Sequence, residues 1–128
     1  MMDIQIDEVK HFAHIKLTGV LSRDMILRAF DAAVSHERHQ PGMGRLWDFR
    51  TADLSLLDSG TIAEMARYST RFPPGVNDVK VAFVAGRELE YGLSRMFEFF
   101  SADAAETKIA VFYSLDEAEQ WLTMRDST

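Results

Sequence analysis

The chain has 128 residues, 47% hydrophobic and 27% charged, a composition typical of one globular domain spanning residues 1–128 rather than a fibre or a disordered tail. Its formal net charge of -6 would repel a phosphate backbone, so nucleic acid is not expected as a partner. The absence of cysteine excludes disulfides, thiol nucleophiles and thiolate metal sites. The N-terminus lacks the pattern of a signal peptide, and no apolar run approaches membrane-spanning length, so we expect a cytoplasmic protein.

Hydrophobic periodicity predicts five strands separated by short turns or by helices. The first two alternate in period two and form a hairpin that turns near Val9 and Lys10. The third is the run RLWDF, and it is expected to end at Asp48 and Phe49. The predicted strands cover residues 4–6, 13–17, 45–49, 79–85 and 107–113.

Four amphipathic segments predict helices, one after each strand from the second onward. Ser22 is the expected N-cap of the first helix, and Asp58 or Ser59 that of the second. The second helix must stop at Pro73 and Pro74. The fourth opens with a capping box formed by Ser114 and Glu117.

The resulting order is β-β-α-β-α-β-α-β-α. Because strands joined through helices need right-handed crossovers, the last three strands should run parallel. The sequence therefore predicts a single-domain α/β fold. Its mixed sheet combines an N-terminal antiparallel hairpin with three parallel strands joined by helices.

Four segments carry a family resemblance that covers nearly the whole chain. The chain resembles small bacterial STAS-like (SpoIIAA-like) domains, which are similar to anti-sigma-factor antagonists, and its plan is also similar to that of lipid-binding CRAL-TRIO domains. None of the four segments is a catalytic signature, so the resemblance implies a non-enzymatic, regulatory domain of bacterial type. The segments are LTGVLS (17–22), LWDFR (46–50), VAFVAGRELEYGLSRMFE (81–98) and VFYSLDEAEQWL (111–122).

A narrower likeness lies in residues 53–60, DLSLLDSG. This segment resembles the D-L-S-x-x-D-S-S-G motif in which anti-sigma-factor antagonists carry a regulated serine at a helix start. One serine is missing here, and the predicted strand ends about five residues before the motif's strand would. If the likeness holds, Ser59 is the candidate phosphoacceptor, because a helix N-terminus favours a phosphate. The alternative is that Asp58 and Ser59 are ordinary caps.

A second candidate site lies at the predicted strand ends, because open α/β sheets bind ligands at the carboxyl ends of their parallel strands. Asp48 and Arg50 follow one such strand, and Gly86 and Arg87 follow the next. The arginines could pair with a carboxylate or phosphate, and Gly86 would allow close approach of a ligand to the backbone. The alternative is that Gly86 only forms a turn, since neither G-x-G-x-x-G nor a Walker lysine is present.

Metal and nucleophile patterns are weak, so no metal, cofactor or catalytic residue is predicted. His36 and His39 lie one helical turn apart, but spacing marks no third ligand and the pair does not match H-E-x-x-H. Ser94 lies inside a helix rather than on a strand-to-helix elbow.

The third helix suggests an interface. Its core stripe is predicted to centre near Leu93 and Phe100, which turns Tyr91 outward and leaves Phe99 on the flank. With Arg95 one turn after Tyr91, the outward face has the composition that homodimer interfaces favour. Single exposed aromatics are also normal on monomers, so the sequence leaves self-association open.

We therefore expect a non-catalytic regulatory domain that binds a protein partner. The alternative is a binder of a lipid or a small anionic or apolar metabolite in a cleft at the strand carboxyl ends. The two hypotheses predict different interiors. A binder of drug-sized ligands needs a cavity of about 300 Å³ or more, whereas the interior of an interaction domain should be closely packed.

Overall fold

Residues 2–69, 76, 78–101 and 107–124 are described by a computed structural model. Within these residues the chain forms five strands and four helices in the predicted order. The elements are β1 (Met2–Asp7), β2 (Phe12–Val20), α1 (Arg23–Val34), β3 (Gly44–Asp53), α2 (Ser59–Ser69), β4 (Lys80–Ala85), α3 (Glu88–Ser101), β5 (Lys108–Phe112) and α4 (Leu115–Thr123).

The strands form one mixed sheet in the order β1-β2-β3-β4-β5. β1 pairs with β2 antiparallel, and every later pair of neighbours is parallel. The fold class predicted from the sequence is therefore confirmed. The parallel part is longer by one strand than the predicted three, because β2 is itself parallel to β3.

β3 extends further than the sequence predicted, and its expected end at Asp48 and Phe49 is wrong. The strand continues to Asp53 because β2 continues beside it, with Thr18 opposite Thr51 and Val20 opposite Asp53 after a register shift. The two threonine hydroxyls lie 3.0 Å apart across the strands. The polar residues after Phe49 concealed this part of the strand, since they interrupt the apolar run that served as its signal.

The helices cover the two faces of the sheet unequally. Because each strand lies beside its predecessor, right-handed crossovers place α1, α2 and α3 on one face, over Ile15, Trp47 and Phe83. α4 packs on the opposite face, where Ala118 contacts the cluster containing Leu46 and other buried residues of β2 and β4. α4 lies over β3, β4 and β5. The polar strip that carries His14, Asp48 and Arg50 on the same face of the sheet stays outside α4.

Side-chain caps fix the helix starts. Ser22 Oγ accepts from the Met25 N–H at 3.3 Å, and Ser114 Oγ from the Glu117 N–H at 3.3 Å, as predicted. At α2 the Thr61 N–H donates to Asp58 Oδ1 at 2.8 Å, which settles the two predicted alternatives in favour of Asp58. The predicted helix end at Pro73 and Pro74 lies outside the described residues.

α3 is rotated relative to its predicted orientation. Leu93 is buried as expected, but Phe100 is 37% exposed, so the predicted stripe centre is wrong at that position. Ser94 and Glu90 are buried instead, and Phe97 packs edge-on against Phe83 with ring centroids 5.5 Å apart. Within the described part of the chain, no helix has the length and apolar character needed to cross a membrane.

Candidate functional site

Ser59 lies on the surface at the first residue of α2. β3 ends at Asp53, the first residue of the segment that resembles D-L-S-x-x-D-S-S-G, and Ser59 opens the next helix. β3 therefore reaches this segment, instead of ending about five residues before it as the sequence predicted. Asp58 provides the cap, and its hydrogen bond from the Thr61 N–H lowers the pKa of the Asp58 carboxyl.

Several exposed apolar side chains lie at the edge of the sheet where the parallel strands end, the edge at which Ser59 opens α2. Val20 closes β2, and Leu56, which is 65% exposed, lies in the loop before α2. Met25 and Leu89 lie in the first turns of α1 and α3 and are also exposed. We term this surface, formed by Val20, Met25, Leu56, Ser59 and Leu89, the carboxyl edge.

A buried carboxylate holds the loops beneath the carboxyl edge together. Glu90 is fully buried and accepts two hydrogen bonds from Arg87, both at 2.8 Å. It also accepts one from the Leu54 N–H at 3.0 Å. The hydrogen bonds from Arg87 hold the pKa of Glu90 below its ordinary value, although burial opposes this. Arg87, a predicted ligand residue, also lies 3.3 Å from Asp53, so its guanidinium is engaged within the chain.

Asp48 and Arg50 lie within β3 and not at its end, on the polar strip outside α4. Asp48 is buried, and Arg50 donates to both of its carboxylate oxygens, at 2.9 and 2.8 Å. His14 Nε2 lies 3.3 Å from the same carboxylate. Burial alone would raise the pKa of Asp48, but the hydrogen bonds from His14 and Arg50 outweigh it and hold that pKa well below its usual range.

Gly86 permits a close approach, but of another strand rather than of a ligand. A Cβ at this position would lie 2.4 Å from the backbone oxygen of Arg50, which no side chain tolerates. Gly86 thus packs against the backbone of Arg50. The two predicted arginines are engaged with different carboxylates, Arg50 with Asp48 and Arg87 with Glu90. Ligand binding by the four predicted residues stays a prediction.

The predicted interface residues of α3 have different surroundings. Tyr91 stacks on Tyr113 with centroids 4.5 Å apart, and Arg95 pairs with Glu98 at 3.3 Å. Phe99 is 76% exposed. Self-association through this face stays a prediction, which sedimentation velocity of the wild type and a Phe99→Asp variant tests.

Sequence reasoning did not single out a cavity between the sheet and α1, α2 and α3. The cavity has a volume of about 70 Å³ and a mainly apolar lining, which includes Phe30, Trp47 and Phe83. Arg45 lies in this lining and is only 2% exposed. Period-two alternation in RLWDF places Arg45 on the face of Trp47 and Phe49, so a signal for a buried cation was present in the sequence.

Glu90 was missed as well. Its signal was the spacing of three from Arg87 at a helix start, a spacing at which opposite charges meet.

The mixed sheet, its strand order and the helix placement define the class of the protein, an α/β domain with a SpoIIAA-like fold. Among solved structures the chain is similar to an uncharacterised protein of the DUF3478 family with a SpoIIAA-like fold, from Shewanella loihica PV-4. The TM-score is 0.57 and the identity 18%, over 95% of this chain and 92% of that chain. No family model and no curated protein matches the sequence. The structural likeness confirms the fold that the sequence resemblance implied.

Proposed function

We propose that the protein is a non-catalytic regulatory domain that binds a protein partner through the carboxyl edge. The observation that carries this proposal is the position of Ser59, exposed at the start of α2 on the sheet edge that also presents exposed apolar side chains. Exposed apolar residues with polar residues at their margin are typical of protein-binding surfaces. The SpoIIAA-like fold is compatible with this function, as is an interior cavity far smaller than a lipid requires.

Phosphorylation of Ser59 would switch this binding off. A phosphate adds a charge of about -2 at neutral pH, next to the Asp58 carboxylate that already accepts the Thr61 N–H. The phosphate would compete with Asp58 for the N–H groups of the first turn of α2 and would add a strongly hydrated anion to the carboxyl edge. A partner that buries Leu56 would then have to desolvate this charge.

The alternative proposal is a small ligand bound at the strand carboxyl ends. It has less support, because Arg87 already donates to Glu90 and Gly86 packs against the backbone of Arg50.

Affinity capture from the host, followed by calorimetry with the purified partner, tests the main proposal. We expect a protein that binds the wild type and the Ser59→Ala variant but is lost with Ser59→Asp and Leu56→Asp. Val9→Asp is the matched control, since Val9 is 96% exposed in the hairpin turn at the opposite end of the sheet. The proposal is wrong if no captured protein distinguishes Leu56→Asp from Val9→Asp. Intact mass of the protein purified from its host tests the phosphate on Ser59.

A further inference from the structure

Three polar groups inside the molecule line the cavity beneath α1, α2 and α3 without a hydrogen-bond partner. They are Arg45 Nε and the hydroxyl oxygens of Ser94 and Ser101. The two serines are seven residues apart, so they lie on one face of α3, and they are 3% and 4% exposed. Buried polar groups are nearly always paired, so three unpaired groups around one space indicate that something polar belongs in it.

Among these three groups, Arg45 is the one that carries a charge. Its Nη1 donates to the Val76 backbone oxygen at 2.5 Å, and its guanidinium lies 4.9 Å from the centre of the Phe30 ring. Among the described residues no carboxylate forms an ion pair with it. Burial lowers the pKa of Arg45 to about 10, so the side chain still carries its charge at neutral pH. A buried cation without an anion is strongly unfavourable, and an anionic ligand would relieve this cost.

We propose that this cavity binds a small apolar carboxylic acid, with its carboxylate on Arg45 and its hydrocarbon part against Trp47 and Phe83. The planar guanidinium matches a carboxylate in charge and geometry, and the serine hydroxyls supply further donors. The apolar lining selects against ligands that are polar throughout. A cavity of about 70 Å³ holds a few water molecules, so the occupant is a short acid and not a membrane lipid.

This site is separate from the carboxyl edge. Arg45 is the second residue of β3 and Thr107 immediately precedes β5, so the cavity reaches toward the amino ends of the strands. The inference therefore does not depend on the proposed protein-binding function. Failure of one proposal would leave the other unaffected.

The test is isothermal titration calorimetry of the full chain with linear monocarboxylates from acetate to octanoate, together with the primary alcohols of matched length. We expect saturable one-to-one binding of the acids, with affinity rising about fourfold for each added methylene until the cavity is filled. Arg45→Met should weaken acid binding at least tenfold and change alcohol binding less than twofold. Arg38→Met is the matched control, because Arg38 is exposed and pairs with Glu8 on the hairpin.

Arg45→Lys provides a second variant that keeps the charge but lacks the bidentate donors, and it should bind the acids with intermediate affinity. Two results would overturn the proposal. One is the absence of saturable binding for every acid, which would mean that the cavity holds water only. The other is equal binding of acids to the wild type and to folded Arg45→Met.

Discussion

The carboxylate of Glu90, in the first turn of α3, accepts the backbone N–H of Leu54, the residue that follows β3, at 3.0 Å. This bond joins residues 36 positions apart in the sequence and fixes the loop that presents Leu56 and Ser59. The carboxyl edge is thus held by a buried charge as well as by packing.

Replacing Glu90 with glutamine should lower the free energy of unfolding by about 1–3 kcal/mol, because Arg87 loses its charged acceptor while the amide oxygen can still bond Leu54. Urea denaturation monitored by circular dichroism measures the change. Glu88→Gln, exposed on the same turn of helix, should stay within about 0.5 kcal/mol of the wild type. Equal effects of the two substitutions would contradict a structural role for the buried carboxylate.

Gly86→Ala should destabilise the protein by about 1–3 kcal/mol or more, because the added Cβ would lie 2.4 Å from the Arg50 backbone oxygen. Gly92→Ala is the matched control. Gly92 is exposed within α3, and a Cβ there would meet nothing within 4 Å. This second substitution should stabilise the helix by about 0.5–1 kcal/mol. Thermal melts of both variants test whether the two substitutions change stability in opposite directions.

Asp48 should make stability depend on pH in the acid range. Its pKa is depressed in the folded protein, so the unfolded chain takes up its proton first. The contribution of Asp48 to stability is therefore fully present above the ordinary aspartate pKa of about 4 and is lost as the pH falls toward the folded value.

Asp48→Asn measures this contribution. We expect the variant to be less stable than the wild type by about 1–3 kcal/mol at neutral pH, with the difference shrinking steadily below about pH 4. Asp3→Asn, an exposed aspartate on β1, should show no such trend. If the difference in free energy of unfolding between the wild type and Asp48→Asn stayed constant down to pH 2, the role assigned to the Asp48 carboxylate would be contradicted.

Arg45→Met should raise the free energy of unfolding of the ligand-free protein by about 1–2 kcal/mol, because an unpaired buried cation is replaced by an apolar side chain. Chemical denaturation in buffer free of organic acids measures it. Loss of stability in Arg45→Met would show that the hydrogen bond to Val76 and the contact with Phe30 outweigh the cost of burying the charge.

Periodicity and caps made most of the fold predictable. The starts of three helices followed from Ser22, from Asp58 or Ser59, and from Ser114, because capping side chains bond to backbone a few residues away and sequence alone contains that information. The end of β3 did not follow, since Thr51 to Asp53 are held in the strand by their pairing with β2, a tertiary effect. Phe100 was misplaced for a similar reason, because the rotation of α3 is set by what it packs against.

The candidate sites were less predictable than the fold. A candidate phosphoacceptor next to a helix cap has a local signature, which singled out Ser59, and its phosphorylation stays a prediction. Arg45 and Glu90 act through contacts with residues far away in sequence. The sequence indicated Arg45 only by a charge on an apolar strand face, and Glu90 only by its spacing from Arg87. Asp48 and Arg50 were predicted at a strand end but lie inside β3, because the strand continues beyond them through its pairing with β2.

The order of strands in the sheet is the order of strands in the chain, and this has a consequence for biosynthesis. During translation each newly completed strand finds its neighbour already present, so the sheet can grow by one βα unit at a time without threading a segment between earlier ones. Folding need not wait for the C-terminus. α4 is the last element to be synthesised, and it covers the apolar patch around Leu46 and Val84. A chain truncated before α4 would expose that patch and be prone to aggregate.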